Sequence, residues 1–201
     1  MKKALTIGEL LITMAIIGVI ATLVLPGFLK DYHKKLHVTK LKKTVEAIEV
    51  AINQACIDNN VSYFNQTIYS KYVSGGGNQQ AFLDKYFKKV GNVTSSPFNS
   101  KYRTVGNNSE NTITFANSGW AKLASGEAVS FFCYTKTNCH FRIDVNSTDG
   151  PNVGGRDFFV VNIDPDTNQL YNGYPTAGCT TNFKGEGCFG LLLENNWEVT
   201  Y

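Results

Sequence analysis

Oxygen-bearing side chains crowd one short stretch of the chain. Asp144, Asn146 and Asp149 lie close together, and Asp157 follows near enough to join them. Carboxylates and carbonyls at this density suit calcium, a hard cation that takes oxygen ligands. Asp, Asn and Gly are equally the residues of tight turns. A second stretch, Asp164-Pro-Asp-Thr-Asn168, copies the first three ligand positions of an EF-hand loop. Gln169 stands where that loop needs glycine, and Pro175 where it needs a bidentate glutamate, so a hairpin turn explains it better. His140 lies near Cys133 and Cys139, from which a Cys-His nucleophile could be built. A strand residue beside a disulfide is the simpler reading. His33 and His37 have the spacing of two metal ligands on a helix, but no third ligand is near. The sequence holds no Gly-x-Ser-x-Gly, no phosphate loop and no Cys-x-x-Cys. Catalysis is not expected, and no cofactor is called for beyond the calcium candidate.

The five cysteines point to an oxidising compartment. Cys133 and Cys139 are close enough to close one short loop, and Cys179 and Cys188 another. Five cysteines allow fifteen two-bridge connectivities, so local pairing is a preference rather than a deduction. Under that preference Cys56 is left over, a small thiol suited to a packed helix face.

These residues need elements to position them. The chain has 201 residues, 43% apolar and 17% charged, enough for one domain with a real core. A formal net charge of +3 is too small to indicate a nucleic-acid binder, and the wealth of aromatic and β-branched residues excludes intrinsic disorder. From Leu10 to Leu29 no residue is charged. As a helix, that run spans roughly 30 Å, the hydrocarbon thickness of a bilayer. A secretory signal peptide is disfavoured, because Pro26, Gly27 and Phe28 follow the run where a small-x-small cleavage site would be needed.

Residues 30–58 contain neither proline nor glycine. Leu41, Val45, Ile48, Ile52 and Ala55 form an apolar stripe at helical spacing. One helix is expected from about residue 5 to 58, interrupted or bent at Pro26, where a backbone donor is missing, and ended by Asn59-Asn60. Its second half should pack on a globular head. The lysines of that half read as a solvated face, or as a surface for anionic headgroups or for an acidic neighbour.

Beyond Asn60, Ser74 to Asn78 reads as a flexible loop and Gln79 to Lys89 as a short helix. Thr112–Ala116, Trp120–Ala124, Ala128–Tyr134, His140–Val145, Phe158–Ile163 and Leu170–Tyr174 read as antiparallel strands. Gly187 to Glu194 reads as a short terminal helix. The expected fold is α+β: a long N-terminal helix, membrane-spanning in its first half, packed on a C-terminal antiparallel β-sheet.

Lys2-Lys3-Ala4-Leu5-Thr6-Ile7-Gly8-Glu9-Leu10-Leu11, followed by the apolar run and Pro26, resembles the class III signal of type IV pilins and type II secretion pseudopilins. The usual family form is Lys-Gly-Phe-Thr-Leu-Ile-Glu-Leu. The resemblance implies cleavage by a prepilin peptidase between Ala4 and Leu5, then N-methylation of Leu5. It makes Glu9 the family's invariant glutamate and Pro26 its helix-kinking proline. Ala4 replaces the usual glycine, Leu5 the phenylalanine, and Gly8 an apolar residue. The implied organisation is a leader (1–4), a membrane and polymerisation half-helix (5–29), an amphipathic half-helix (30–58) and a head (59–201).

The lysines that follow the span outnumber those that precede it, so charge alone puts the wrong end in the cytoplasm. The leader decides otherwise, because its peptidase acts at the cytoplasmic face. The resemblance therefore implies a subunit of the bacterial inner membrane with an extracytoplasmic head. It would self-associate into a filament through the helix, with the assembly machinery and the bilayer as further partners and Glu9 neutralised by the Leu5 amine of an adjacent copy.

More loosely, Asp144-Val-Asn-Ser-Thr-Asp-Gly-Pro-Asn152 and Gly155-Arg-Asp157 resemble a pseudopilin subgroup with Ser147 in place of glycine. Calcium sites in C-terminal loops are known in that family. Two other readings stay open: a membrane-anchored binding protein or enzyme that never polymerises, and a minor, tip-located adhesive pilin.

Overall fold

The computed structural model describes residues 6–90, 98, 101–105, 110–112, 118–147, 149–150, 152–181 and 184–201. The chain divides into two compact units between Leu36 and His37. One helix, α1, runs without a break from Ile7 to Asp58, 52 residues, or about 78 Å at 1.5 Å per residue. Pro26 lies inside it. Of the interruption or bend expected there, the interruption is not formed, because proline removes a single ladder bond and helix-forming residues follow it to Asp58.

Within the first unit, α1 is apolar on all sides from Leu10 to Leu29, and nearly every residue of that run is exposed. Leu11, Ile17, Leu23 and Phe28 each keep more than half of their surface accessible. The helix meets the length and composition of a membrane span, and none of its most apolar window is buried.

In the second unit the expected stripe is buried. Leu41, Ile48, Ile52 and Ala55 are fully enclosed, with Val38, Thr44, Val45, Ala51 and Cys56 beside them. They close a core made with alternate residues of three strands, β4 (Ala128–Thr135), β5 (Asn138–Asp144) and β7 (Phe158–Ile163). Val129, Phe131, Phe141, Ile143, Phe159 and Val161 are the inward positions, as the two-residue side-chain period requires. Phe131 and Phe141 stack at 4.4 Å between centroids, and Phe82 of α2 (Gly77–Tyr86) meets Phe131 at 5.1 Å. The C-terminus of α1 is tied down by Asp58, whose carboxylate accepts from Lys85 at 2.7 Å, Gln54 at 2.7 Å and Tyr86 at 3.0 Å. These donors hold it down at about 2.

The remaining strands are β1 (Lys101–Thr104), β2 (Glu110–Thr112), β3 (Gly119–Lys122), β6 (Val153–Gly154) and β8 (Leu170–Tyr171). The sheet order is β2-β1-β6-β7-β5-β4-β3, with β8 on β7. This corrects the expected antiparallel sheet to a mixed one. β3, β4, β5, β7 and β8 pair antiparallel, but β6 runs parallel to both β1 and β7. The cause is local: the chain leaving β5 turns within a few residues, and its two-residue strand bridges β1 to β7 in the direction of both. The strand expected over Thr112–Ala116 shares only Thr112 with β2, and its other residues lie outside those described. The strand from Leu170 stops at Tyr171, because Asn172 Nδ2 turns to donate to Tyr174 O at 2.5 Å. Gly77 and Asn78, expected in a loop, form the first turn of α2. The terminal helix α3 spans Cys188–Glu194.

Candidate functional site

Of the processing residues, Ala4 and Leu5 lie outside those described. Glu9 is described, and it is engaged. Its Oε2 accepts from the Thr6 backbone N–H at 2.8 Å and from the Thr6 hydroxyl at 2.9 Å, while Thr6 Oγ1 accepts the Glu9 N–H at 3.3 Å. This is a reciprocal N-terminal cap on α1, satisfying donors that a helix start leaves open. Thr6-x-x-Glu9 is itself a readable capping pattern. Pro26 lies within the exposed apolar half of the helix.

The calcium candidates divide. Asp144 ends β5 and is fully buried; its Oδ2 accepts the Tyr102 phenol at 2.7 Å and its Oδ1 the Asn146 N–H at 3.3 Å. Asp157 is equally buried: Oδ1 accepts the Val153 N–H at 2.5 Å, and Oδ2 sits 3.5 Å from the Arg156 guanidinium. The two are brought together because Val145 N–H donates to Asp157 O at 2.8 Å and Asp144 registers with Phe158. Burial pushes Asp144 up to about 8, with the charge of Asp157 adding to it, and pushes Asp157 up to about 6. Asp149 is not brought in. It is exposed and offers its backbone carbonyl to Asn146 Nδ2.

Among the described residues no three His, Cys, Asp or Glu side chains group as a metal site. Even so, Asn146 Oδ1, Ser147 Oγ, Asn152 Oδ1 and Asp157 Oδ2 are buried oxygens without a hydrogen-bond partner. Such unsatisfied acceptors suit an oxygen-liganded cation better than an empty core. Neither Ser147 nor Asn152 was picked out by spacing, since only the fold turns them inward. In the second loop, Asp164 Oδ1 accepts from Asp166 N and Thr167 N, and Asp164 N–H donates to Gln169 O, which is the hairpin turn expected there. Asn168 uses its amide to hold Phe64 N at 2.7 Å and Ser62 O at 2.9 Å.

Cys133 bonds to Cys139 across β4 and β5, and Cys179 to Cys188, leaving Cys56 as a buried free thiol. Cys133 is therefore no nucleophile. Burial, then the charge of Arg142, lower His140 to about 3, and both its ring nitrogens lack a hydrogen-bond partner. A neutral, enclosed imidazole beside a disulfide is what the strand reading required. His33 meets Tyr32 edge-on at 5.9 Å, and neither it nor His37 belongs to a metal group among the described residues.

Fold and residues together define an α+β protein with a disulfide-bonded head and an apolar helix suited to a membrane. No protein-family model, no curated protein and no solved structure matches the chain.

Proposed function

We propose that the chain is a structural subunit of a type IV pilus or type II secretion pseudopilus. It is inserted into the bacterial inner membrane with its head outside, cut by a prepilin peptidase after Ala4, methylated on Leu5, and assembled with copies of itself through α1 by the inner-membrane machinery. The observation that carries this reading is the contrast within α1. Its residues from Val38 to Cys56 build the core of the head, while Leu10 to Leu29 present unbroken apolar surface on every side. A surface of that kind requires lipid or other apolar helices around it. A filament supplies the second as the bilayer supplies the first.

The test is the mature N-terminus after expression with a prepilin peptidase. Mass spectrometry should find Met1–Ala4 missing and one methyl group on Leu5. An intact Met1 would overturn the reading. It would favour a membrane-anchored binding protein that keeps its span and stays single. One observation leans that way: the Glu9 carboxylate already has Thr6 as a partner within its own chain. Immunogold labelling along whole filaments, against labelling at tips only, separates a repeating subunit from a minor adhesive one.

A further inference from the structure

Immediately after the uncharged run, α1 continues through Lys30, Asp31, Tyr32, His33, Lys34 and Lys35 without a break. Glu9 and Lys30 bracket the run, and at 1.5 Å per residue they stand about 31 Å apart, one at each edge of a bilayer's hydrocarbon layer. At about 100° per residue, Lys34 is turned some 40° from Lys30 and Lys35 some 140°. The cations therefore form a partial collar, an arc of about 140° on one side of the helix. Lys30 and Lys35 are exposed, and Lys34 is half-buried. Lys30 and Lys34 form no ion pair among the described residues. Phe28, 65% exposed, and Tyr32, 54% exposed, are four residues apart on one face, one on each side of the level of Lys30. Aromatic rings with one wet edge collect at this depth of a bilayer, and lysine stems run along the acyl region while the ammonium reaches the phosphates.

We propose that Lys30, Lys34 and Lys35 form a collar that binds the phosphodiester headgroups of anionic phospholipids in the leaflet where α1 leaves the membrane. The proposal rests on the membrane-span reading above. Three cations against Asp31 alone give the collar a net positive charge at the headgroup layer. A leaflet carrying anionic lipid offers the complementary charge there, and the attraction fades within a Debye length of about 8 Å at physiological salt. Lysines lying outside that layer would not take part.

The full chain is reconstituted into nanodiscs of phosphatidylglycerol and phosphatidylcholine in equal parts, and the lipids retained on the protein are counted by native mass spectrometry. Wild type should retain phosphatidylglycerol preferentially, and raising the salt should erode that preference. Each lysine near a charged surface is worth about a fivefold change in affinity, so Lys30→Gln, Lys34→Gln and Lys35→Gln combined should reduce the preference by roughly two orders of magnitude. The triple arginine variant should keep it. An unchanged preference in the glutamine variant overturns the collar, and so does an unchanged preference accompanied by lost self-association, which would assign the lysines to a second copy of the chain. Failure of wild type to enter the nanodisc overturns the membrane-span reading instead.

Discussion

Replacing Asp144 with asparagine should stabilise the metal-free protein above neutral pH. The Asp144 carboxyl is raised from 3.8 to about 8, with burial as the leading cause. A raised acid holds its proton in the folded state over a range where the unfolded chain has lost it. Its contribution is therefore complete below pH 3.8 and is lost progressively as pH rises to 8. The difference of about 4 pH units, at about 1.36 kcal/mol each, sets a ceiling of about 6 kcal/mol.

Two other groups shape the profile. Asp157, raised to about 6, adds a fall of the same sign that ends near pH 6. His140, lowered from 6.5 to about 3, acts oppositely, because the unfolded chain takes up a proton below pH 6.5 that the buried ring refuses. Two acids against one histidine make stability fall from about pH 4 to 6, level off to pH 6.5 where Asp144 and His140 offset each other, and fall again between pH 6.5 and 8, where the slope belongs to Asp144. Asp144→Asn keeps an oxygen for the Tyr102 hydroxyl but loses the acceptor for Asn146 N–H, at a cost of about 1 kcal/mol. Urea unfolding of the full chain in detergent and chelator is the assay. The variant should be more stable than wild type at pH 8 by at least about 2 kcal/mol, with a flat profile from pH 6.5 to 8. Equal slopes in the two proteins, or a variant weaker at pH 8, would refute the argument that Asp144 is forced to bury a charge.

Calcium in excess should raise the wild-type melting temperature, by about 2.7 kcal/mol of stability at a hundred times its dissociation constant. It should leave Asp157→Asn unmoved, since Asp157 Oδ2 is a buried carboxylate oxygen without a hydrogen bond among the described residues. Gly155→Ala should cost about 3 kcal/mol by thermal melt: its φ is +85°, and a Cβ there would lie 2.3 Å from Cys188 Sγ and 3.2 Å from Cys179 Sγ. Cys133→Ala with Cys139→Ala should lower stability by about 2 kcal/mol, as expected for so short a loop, and an unchanged urea midpoint would count against the bond.

What could be read from the residues alone follows from how local each signal is. The stripe from Leu41 to Ala55 is a periodic pattern and Phe158 to Ile163 a short apolar run, and the structure buries both. β6 escaped because two residues, Val153 and Gly154, carry no period, and with β6 went the parallel pairing. The loop at Asp144 was found by composition, but its internal chemistry was not. Tyr102 reaches Asp144 from 42 positions away, and no spacing rule connects them. Asp149, by contrast, looked like a ligand on spacing and stays exposed. Likewise, Pro26 was expected to interrupt or bend the helix, and no interruption forms, since a helix of 52 residues absorbs the loss of one bond.

The cap at Glu9 bears on the proposed assembly, because it uses only one oxygen of the carboxylate. Both Thr6 bonds go to Oε2, and Oε1 accepts no hydrogen bond among the described residues. One oxygen can thus finish the helix while the other meets the positive N-terminus of a neighbouring copy. Glu9→Gln keeps an amide oxygen for Thr6 and removes the charge. Glu9→Ala removes both, and Thr6→Ala weakens the cap while sparing the charge. If pairing between copies is what Glu9 contributes, Glu9→Gln should abolish filaments as completely as Glu9→Ala, with Thr6→Ala nearly unaffected, as scored by filament counts in negative-stain micrographs at equal membrane levels of protein. Filaments in normal number from Glu9→Gln, together with their loss in Thr6→Ala, would reduce Glu9 to a helix cap and remove the charge pair from the account of assembly.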